Sequence, residues 1–190
     1  MPNYRRARIR GATYFFTVAI YDRRSNLLVR EIDALRAAYV SVQSTRPFQC
    51  DAFVVLPDHL HAVWTLPPGD DDFSTRWQVL KAQFTARVRE RGRTSHSKTR
   101  KREAGVWQRR FWEHCIRDEA ERSAFVQYCW SNPVKHGYAA DPYGWPHSSI
   151  HRDVRRGLVP AAWSGGAEDV VIDPYDRFDA PPRHMVSALA

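Results

Sequence analysis

The chain has few cysteines and no long apolar run, and each absence excludes a class of protein. Cys50, Cys115 and Cys129 are its 3 cysteines, an odd number without CxxC spacing. Because they lie within apolar patterns, we expect reduced thiols in the core rather than a disulfide framework or a zinc finger. No apolar run reaches the roughly 18 residues of a membrane span, and the charged N-terminus lacks an apolar signal region. These features predict a cytoplasmic protein without a membrane partner.

Acidic residues are outnumbered by basic ones, which favours a polyanionic partner. The chain of 190 residues, long enough for one sizeable core, has 29 Lys and Arg against 21 Asp and Glu, a net charge of +8 and a pI near 9.7. Its 7 Trp, 8 Tyr and 9 Phe could include rings that stack unpaired bases, although most belong to the core. Composition therefore agrees with a nucleic-acid partner.

Two histidines, His59 and His61, flank one leucine within the apolar run from Val54 to Leu66. In an extended strand alternate side chains share a face, so both imidazoles would lie opposite Leu60. Two imidazoles on one face can bind a metal ion, but a strand can also carry two histidines simply because that face is solvated. The apolar neighbours favour the metal site, since exposed histidines at the end of a buried strand have little packing purpose.

A second pattern lies downstream, where Asp118 and Glu121 predict the start of a helix and Pro133 its end. Tyr128 and Asn132 are four residues apart and therefore share a helical face. That face can present a phenol and an amide oxygen together. The alternative is structural, with a half-buried tyrosine whose hydroxyl is solvated and an asparagine that caps the helix before the proline.

Hydrophobic periodicity and turn residues predict the order strand, helix, strand, strand, helix, strand, helix. The strands are expected at 13–20, 48–56, 59–66 and 111–117, and the first two helices at 32–44 and 73–91, with the start of the second signalled by Ser74. This order is typical of an α+β fold of the ferredoxin-like, split βαβ type, with a central four-stranded antiparallel sheet and both main helices on one face. The other face is expected to stay free for a site.

Two segments show no hydrophobic periodicity. Residues 92–105 are polar and basic, which predicts a mobile loop that either follows DNA phosphates or only improves solubility. Residues 164–190 are rich in Pro and Asp and predict a loosely structured, extended C-terminal tail. Residues 1–163 are therefore expected to form one domain.

Five segments of the chain resemble the single-tyrosine HUH transposases and occur in the order of that family. They are LPDHLHAVW, FWEHCIRD, Tyr128 with Asn132, NPVKHG and GWPHSS, and the resemblance runs from about residue 4 to about residue 163. Within the family the chain is most similar to the REP-associated tyrosine transposases, bacterial proteins that act on repetitive extragenic palindromes.

The resemblance implies an endonuclease and strand transferase that nicks and rejoins single-stranded hairpin DNA through a 5′-phosphotyrosine. Carried over to this sequence, His59, His61 and Asn132 would bind a divalent metal, Mg²⁺ or Mn²⁺. Tyr128 would be the nucleophile, on a C-terminal catalytic helix. The implied partner is a REP-like palindrome with a short flanking tetranucleotide, bound at the bacterial nucleoid by a monomer or homodimer.

Basic residues in three places are candidates for DNA contact. Lys135 and His136 adjoin the tyrosine helix and could neutralise phosphate, or could simply solvate the helix end. The other candidates are four N-terminal arginines, which could read the tetranucleotide, and a later cluster of three: Arg5, Arg6, Arg8 and Arg10, then Arg152, Arg155 and Arg156.

Two other classes of protein remain compatible with the sequence. One is a non-catalytic nucleic-acid-binding module with an open sheet, as in RNA-recognition domains of this topology, although RNP-type aromatic motifs are absent. The other is a metal-stabilised protein without a nucleic-acid role, which the basic clusters disfavour. The enzyme is favoured because a binding module does not need a tyrosine opposite a metal site.

Overall fold

The structure, a computed structural model, describes residues 8–88, 105–160 and 163. Arg5 and Arg6, nearly all of the predicted basic loop at 92–105 and the predicted tail at 164–190 lie outside the described residues, so these expectations stay predictions. None of the helices in the described part of the chain has the length and apolar character that a membrane crossing requires. The three cysteines are free thiols, one of them buried and two partly buried.

The described residues form four strands and five α-helices, and the elements predicted from the sequence occur in the predicted order, with the short helices α1 and α5 in addition. In chain order they are β1 (Thr13–Ala19), α1 (Leu27–Arg30), α2 (Ile32–Thr45), β2 (Gln49–Val55), β3 (His59–Thr65), α3 (Phe73–Arg87), β4 (Trp112–Cys115), α4 (Glu119–Lys135) and α5 (Ile150–Arg155), with a 3₁₀ turn at Pro142–Gly144 before α5. The cap of α3 differs from the prediction. The side chain of Asp72, not of Ser74, accepts a hydrogen bond from the backbone N–H of Thr75 at 3.0 Å.

The four strands form one antiparallel sheet in the order β2-β3-β1-β4. This confirms the α+β, ferredoxin-like arrangement, in which β1 and β3 are the central strands. The register of these two strands places Thr17 opposite His61 and Ala19 opposite His59. The histidine pair is therefore on a strand with neighbours on both sides, where the backbone is firmly held.

The helices α2 and α3 cover one face of the sheet, and the larger core lies between them and the strands. At its centre Trp64 of β3 stacks on Trp77 of α3, with 4.1 Å between the ring centroids, and both side chains are fully buried. Burial of a large apolar side chain stabilises a fold by about 1.5–3 kcal/mol. Because Leu60 points into this core, the strand period directs His59 and His61 to the opposite face.

The opposite face of the sheet is not free, contrary to the expectation from the sequence. The helices α4 and α5 cover it with a second core, in which Phe15, Val54 and Val63 are fully buried. Phe15 stacks on Phe125 of α4 with 4.6 Å between the ring centroids. Local periodicity predicts that α4 has an apolar face but not which surface that face covers. The buried sheet argues against an RNA-recognition type of module, because that module needs an open sheet on which bases stack.

Candidate active site

His59 and His61 lie side by side on β3, with 5.0 Å between their ring centroids. Both side chains are buried, with 3% and 0% of their surfaces exposed. The alternative of a solvated strand face is therefore wrong. Histidines buried on a central strand need partners that fix their rings, and each ring has one.

Asp58 and Arg23 hold His59 in one orientation. Oδ1 of Asp58 lies 2.7 Å from Nδ1 of His59, and Oδ2 lies 2.9 Å from Nε of Arg23. Burial lowers the pKa of His59, and the hydrogen bond to Asp58 offsets only part of this effect. Burial raises the pKa of Asp58, but the hydrogen bond from His59 and the positive charge of Arg23 outweigh burial and lower it overall. The arrangement is a neutral imidazole beside an ionised carboxylate.

Thr17 fixes the second histidine from the neighbouring strand. Its Oγ1 lies 2.9 Å from Nδ1 of His61, and the threonine is 1% exposed. Phe15 stacks on the imidazole with 5.4 Å between centroids and 20° between planes. Because Nδ1 is engaged by Thr17, a metal ion would have to bind His61 through Nε2.

The first turn of α4 is held by two acidic residues, as the sequence predicts. Asp118 caps the helix, since its side chain accepts a hydrogen bond from the backbone N–H of Glu121 at 2.8 Å. Glu121 in turn accepts hydrogen bonds from the backbone and guanidinium of Arg117 and shares one with His114 of β4. Burial raises the pKa of Glu121, but these hydrogen bonds outweigh it and lower the pKa to about 2. They tie the start of α4 to the sheet.

The helix does not end at Pro133, which corrects the prediction. It continues through Pro133 to Lys135, because a proline near the end of a helix removes only one backbone hydrogen bond. The end is a Schellman motif at Gly137, whose φ of 72° suits glycine. The N–H of Gly137 donates to the carbonyl of Val134 at 2.9 Å, and that of Tyr138 to the carbonyl of Pro133 at 2.8 Å.

Tyr128, Asn132 and His136 follow one another at intervals of four residues and so share the face of α4 that meets β3. The Tyr128 ring lies edge-on to His61, with 5.3 Å between the centroids. The His136 ring lies edge-on to His59, also at 5.3 Å. Since Asn132 is one helical turn from each of these residues on the same face of α4, we expect its amide to lie between them and to face the histidine pair.

The Asn132 side chain is 1% exposed, and neither Oδ1 nor Nδ2 has a hydrogen-bond partner among the described residues. A buried polar group without a partner costs about 1–3 kcal/mol. The structural alternative for this residue, a side chain that caps the helix end, is wrong because the amide caps nothing. An amide oxygen is, however, a suitable ligand for a hard divalent cation.

Residues 8–88, 105–160 and 163 contain no group of three His, Cys, Asp or Glu side chains that could hold a metal ion. Any third protein ligand that the described residues supply at the histidine pair would therefore be of another type. The buried amide of Asn132 fits this requirement in position and in chemistry.

Lys135 lies over the Tyr128 ring, with Nζ 5.1 Å from the ring centroid. The lysine is exposed, whereas Tyr128 is only 5% exposed. His136 is partly buried against His59, so it does more than solvate the end of the helix. A positive charge therefore lies on the solvent side of the tyrosine.

Four of the arginines predicted to contact DNA are exposed. Arg8 and Arg10 precede β1, and Arg155 and Arg156 are at the end of α5. The nearest acidic partner of Arg8 is Asp71, at 3.8 Å, a separation at which a surface ion pair is weak. All four guanidinium groups are therefore accessible to a phosphate.

Arg152 differs from these four arginines because it is only partly exposed, and its contact with DNA stays a prediction. Its guanidinium donates to the backbone carbonyls of Cys50 and Asp51, each at 2.9 Å, and pairs with the carboxylate of Asp153 at 2.7 Å. These bonds occupy most of its donors and tie α5 to the edge strand β2. The guanidinium of Arg152 therefore stabilises the contact between α5 and β2.

Sequence reasoning missed the three residues that orient the histidines. Asp58 could have been recognised, because a carboxylate directly before a histidine is a common orienting partner of a metal ligand. Arg23 and Thr17 gave no local signal. Thr17 is 44 residues from His61, and only the pairing of β1 with β3 brings them together.

Comparison with known proteins gives a consistent picture. No family model matches the chain. The REP-associated tyrosine transposase of Escherichia coli (strain K12) is 47% identical over 169 residues, which cover 89% of this chain and 94% of that protein. A relative in Haemophilus influenzae, named for the same family, is 41% identical over 169 residues, 88% of this chain and 96% of its own length. The solved structure of a REP-associated tyrosine transposase bound to a REP hairpin matches with a TM-score of 0.77 and 43% identity, over 91% of this chain and 100% of the other.

A ferredoxin-like sheet whose histidine pair faces a tyrosine helix is the architecture of the HUH-type DNA-cleaving enzymes. The high identity over nearly the full length of both relatives shows that this chain belongs to the REP-associated tyrosine transposases.

Proposed function

We propose that this chain is a metal-dependent endonuclease and strand transferase that recognises single-stranded, REP-like hairpin DNA with a short flanking tetranucleotide. The solved relative is bound to a REP hairpin, and 43% identity over 91% of this chain supports the same class of partner here. A net charge of +8 and the exposed arginines before β1 and after α5 support a polyanionic ligand.

The contact between Tyr128 and His61, at 5.3 Å between ring centroids, carries the proposal. This contact supports the proposal because Tyr128, the candidate nucleophile on α4, lies next to His61, a candidate metal ligand on β3. Neither a binding module nor a structural metal site requires this combination, since the first needs no nucleophile and the second needs no phenol.

His59, His61 and Asn132 would hold the metal ion, Mg²⁺ or Mn²⁺. When bound by these residues, a divalent cation would polarise the scissile phosphate and neutralise charge that develops in the transition state. Imidazole ligands suit Mn²⁺ better than Mg²⁺, whereas the availability of the metal in the cell can favour Mg²⁺. The neutral state of His59 is the form that a metal ion binds.

Tyr128 supplies the attacking oxygen. Its phenol oxygen forms a bond to phosphorus and loses its proton, the bond from phosphorus to the 3′ oxygen breaks, and that oxygen takes up a proton. The products are a 5′-phosphotyrosine and a free 3′-hydroxyl. A free phenol is a poor nucleophile at neutral pH, and the charge of Lys135 beside the ring favours the developing phenolate.

The same residues permit the reverse step. A 3′-hydroxyl can attack the phosphotyrosine and release the phenol, so the energy of the phosphodiester bond is kept and ATP is not needed.

The test is Tyr128→Phe, with Tyr138→Phe as the matched control. The first change removes the hydroxyl but keeps the ring and its packing against His61. The control removes a hydroxyl that belongs to the same region, since the Tyr138 ring lies 6.2 Å from His136. A hairpin labelled at its 3′ end and incubated with Mn²⁺ should give a covalent adduct with the parent and with Tyr138→Phe, and none with Tyr128→Phe. All three proteins should bind the hairpin about equally in fluorescence anisotropy.

An adduct that persists in Tyr128→Phe, or that peptide mapping places on Tyr138, would contradict the assignment of the nucleophile. Tight binding without an adduct for any hairpin would favour the non-catalytic module instead.

A further inference from the structure

A chain of three side chains leads from the loop after β1 into the histidine pair. Arg23 contacts the carboxylate of Asp58 at 2.9 Å, and Asp58 contacts Nδ1 of His59 at 2.7 Å. Asp58 and His59 are 6% and 3% exposed, so both contacts are shielded from water.

We propose that Asp58 and Arg23 are positioning residues of the metal site, which hold His59 in the tautomer and ring orientation that direct its Nε2 at the metal ion. The inference rests on the proposed function, because it concerns the same site. Neither residue would touch the metal ion or the DNA.

The chemistry of the two hydrogen bonds shows why the carboxylate matters. An ionised carboxylate can only accept hydrogen bonds, so Nδ1 of His59 must carry the proton and Nε2 must keep its lone pair. The hydroxyl of Thr17 can either donate or accept, so it fixes the ring of His61 without fixing its tautomer. Of the two histidines, only His59 is therefore set in its metal-binding form before a metal arrives.

The position of Asp58 is itself held by backbone contacts. Asp58 is in the turn between β2 and β3, where its carbonyl accepts a hydrogen bond from the N–H of Ile20 at 2.9 Å. The carbonyl of the preceding Pro57 accepts one from the N–H of Leu28 at 3.1 Å. The turn is thus tied to the end of β1 and to α1, and the carboxylate has little freedom to leave the imidazole.

The contacts of Arg23 indicate that it serves Asp58 rather than the fold in general. Arg152, a structural arginine, uses its donors on two carbonyls and a carboxylate. In Arg23, by contrast, Nη1 is buried without a hydrogen-bond partner among the described residues, while Nε contacts Asp58. A buried carboxylate is costly unless it is paired, and the guanidinium of Arg23 provides this pairing for Oδ2 of Asp58 at 2.9 Å.

The test compares Mn²⁺ binding to the DNA-free protein by calorimetry in the parent and in Asp58→Ala, Asp58→Asn and Arg23→Gln. Loss of an orienting partner typically weakens metal binding about 10–100-fold. We expect a loss of this size for Asp58→Ala, a smaller one for Asp58→Asn, whose amide oxygen can still accept from Nδ1, and the smallest for Arg23→Gln. Asp22→Asn is the control, because Asp22 is exposed in the same loop, and it should leave the affinity unchanged.

A merely structural role predicts a different result. Hairpin binding and the melting temperature in chelator, measured beside the Mn²⁺ affinity, distinguish a positioning role from a structural role. If Asp58 and Arg23 only stabilise the fold, their replacement should lower the melting temperature and leave the Mn²⁺ affinity of the folded protein unchanged. If Asp58→Ala does not fold, Asp58→Asn and Arg23→Gln carry the comparison.

The outcomes also separate this inference from the proposed function. If His59→Ala abolishes Mn²⁺ binding and the Asp58 variants bind within twofold of the parent, the positioning role is overturned and the metal site stands. If the parent binds no Mn²⁺, or His59→Ala binds it as well as the parent, the metal site itself fails and the positioning role fails with it.

Discussion

Replacement of Asn132 by leucine should stabilise the metal-free protein and abolish its cleavage activity. The side chain is 1% exposed, and both polar atoms of its amide are buried without a hydrogen-bond partner among the described residues. Leucine has a similar volume and no polar atoms. Each unsatisfied group costs about 1–3 kcal/mol. Because the branched leucine does not repack perfectly, we expect the free energy of unfolding to rise by about 1–3 kcal/mol.

The assay is thermal or urea unfolding in chelator, followed by circular dichroism. For a chain of this size about 1 kcal/mol corresponds to about 2–4 °C, so the melting temperature of Asn132→Leu should exceed that of the parent by about 2–12 °C. Added Mn²⁺ at a hundredfold excess over its Kd should stabilise the parent by about 2.7 kcal/mol. The leucine variant should gain much less, so the gap should close or reverse.

Asn132→Asp is the informative control. A buried carboxylate should destabilise the protein in chelator, and Mn²⁺ should restore much of the loss because a carboxylate is also a metal ligand. A leucine variant that is less stable than the parent in chelator would show that the amide has a structural partner. Full cleavage by that variant would remove Asn132 from the metal site.

Two further predictions concern the tyrosine helix and the DNA surface. Glu121→Gln should lower the free energy of unfolding at pH 7 by about 1–2 kcal/mol, once solvent screening of its exposed partner Arg117 is allowed for. The pKa of Glu121 is lowered from 4.5 to about 2, so its contribution to stability is complete above pH 4.5 and is lost as the pH falls towards 2. Urea unfolding should therefore show the free energies of unfolding of the two proteins converging near pH 2. An equal difference at all pH values would contradict this prediction. Joint replacement of Arg155 and Arg156 by Gln should weaken hairpin binding in a salt series and flatten its slope by about 0.7 for each phosphate that is no longer neutralised, whereas Arg152→Gln should lower the free energy of unfolding instead. An unchanged slope would remove Arg155 and Arg156 from the DNA surface.

Part of the candidate site could be predicted because it depends on local periodicity. The period of two in an extended strand was enough to place His59 and His61 on one face. The helical period was enough to pair Tyr128 with Asn132. The order of elements predicted the sheet, since short connections leave few topologies for a chain that runs strand, helix, strand, strand, helix, strand.

Other features could not be predicted, because competing local signals were equally good or because the partner is distant. Asp72 and Ser74 are both suitable helix caps, and local sequence signals do not decide between them, whereas the structure shows that Asp72 is the cap. Proline commonly ends a helix, yet α4 continues past Pro133, because near the helix end a proline removes only one backbone hydrogen bond, and the helix then ends in the Schellman motif at Gly137. Arg152 lies in a basic cluster that suggests DNA contact, and only the structure shows that it also donates hydrogen bonds to two carbonyls of β2.

The sequence by itself determined the elements, their order and the residues that share a face, because these follow from spacings of two to four residues along one chain. Only the tertiary structure decided that α4 covers the second face of the sheet, that the histidines are buried, and that the Tyr128 ring meets His61. It also decided which residues orient the histidines. The contact of Thr17 with His61 spans 44 residues, and that of Arg152 with Asp51 spans 101. Contacts over such separations depend on how whole elements pack, and no local spacing contains that information.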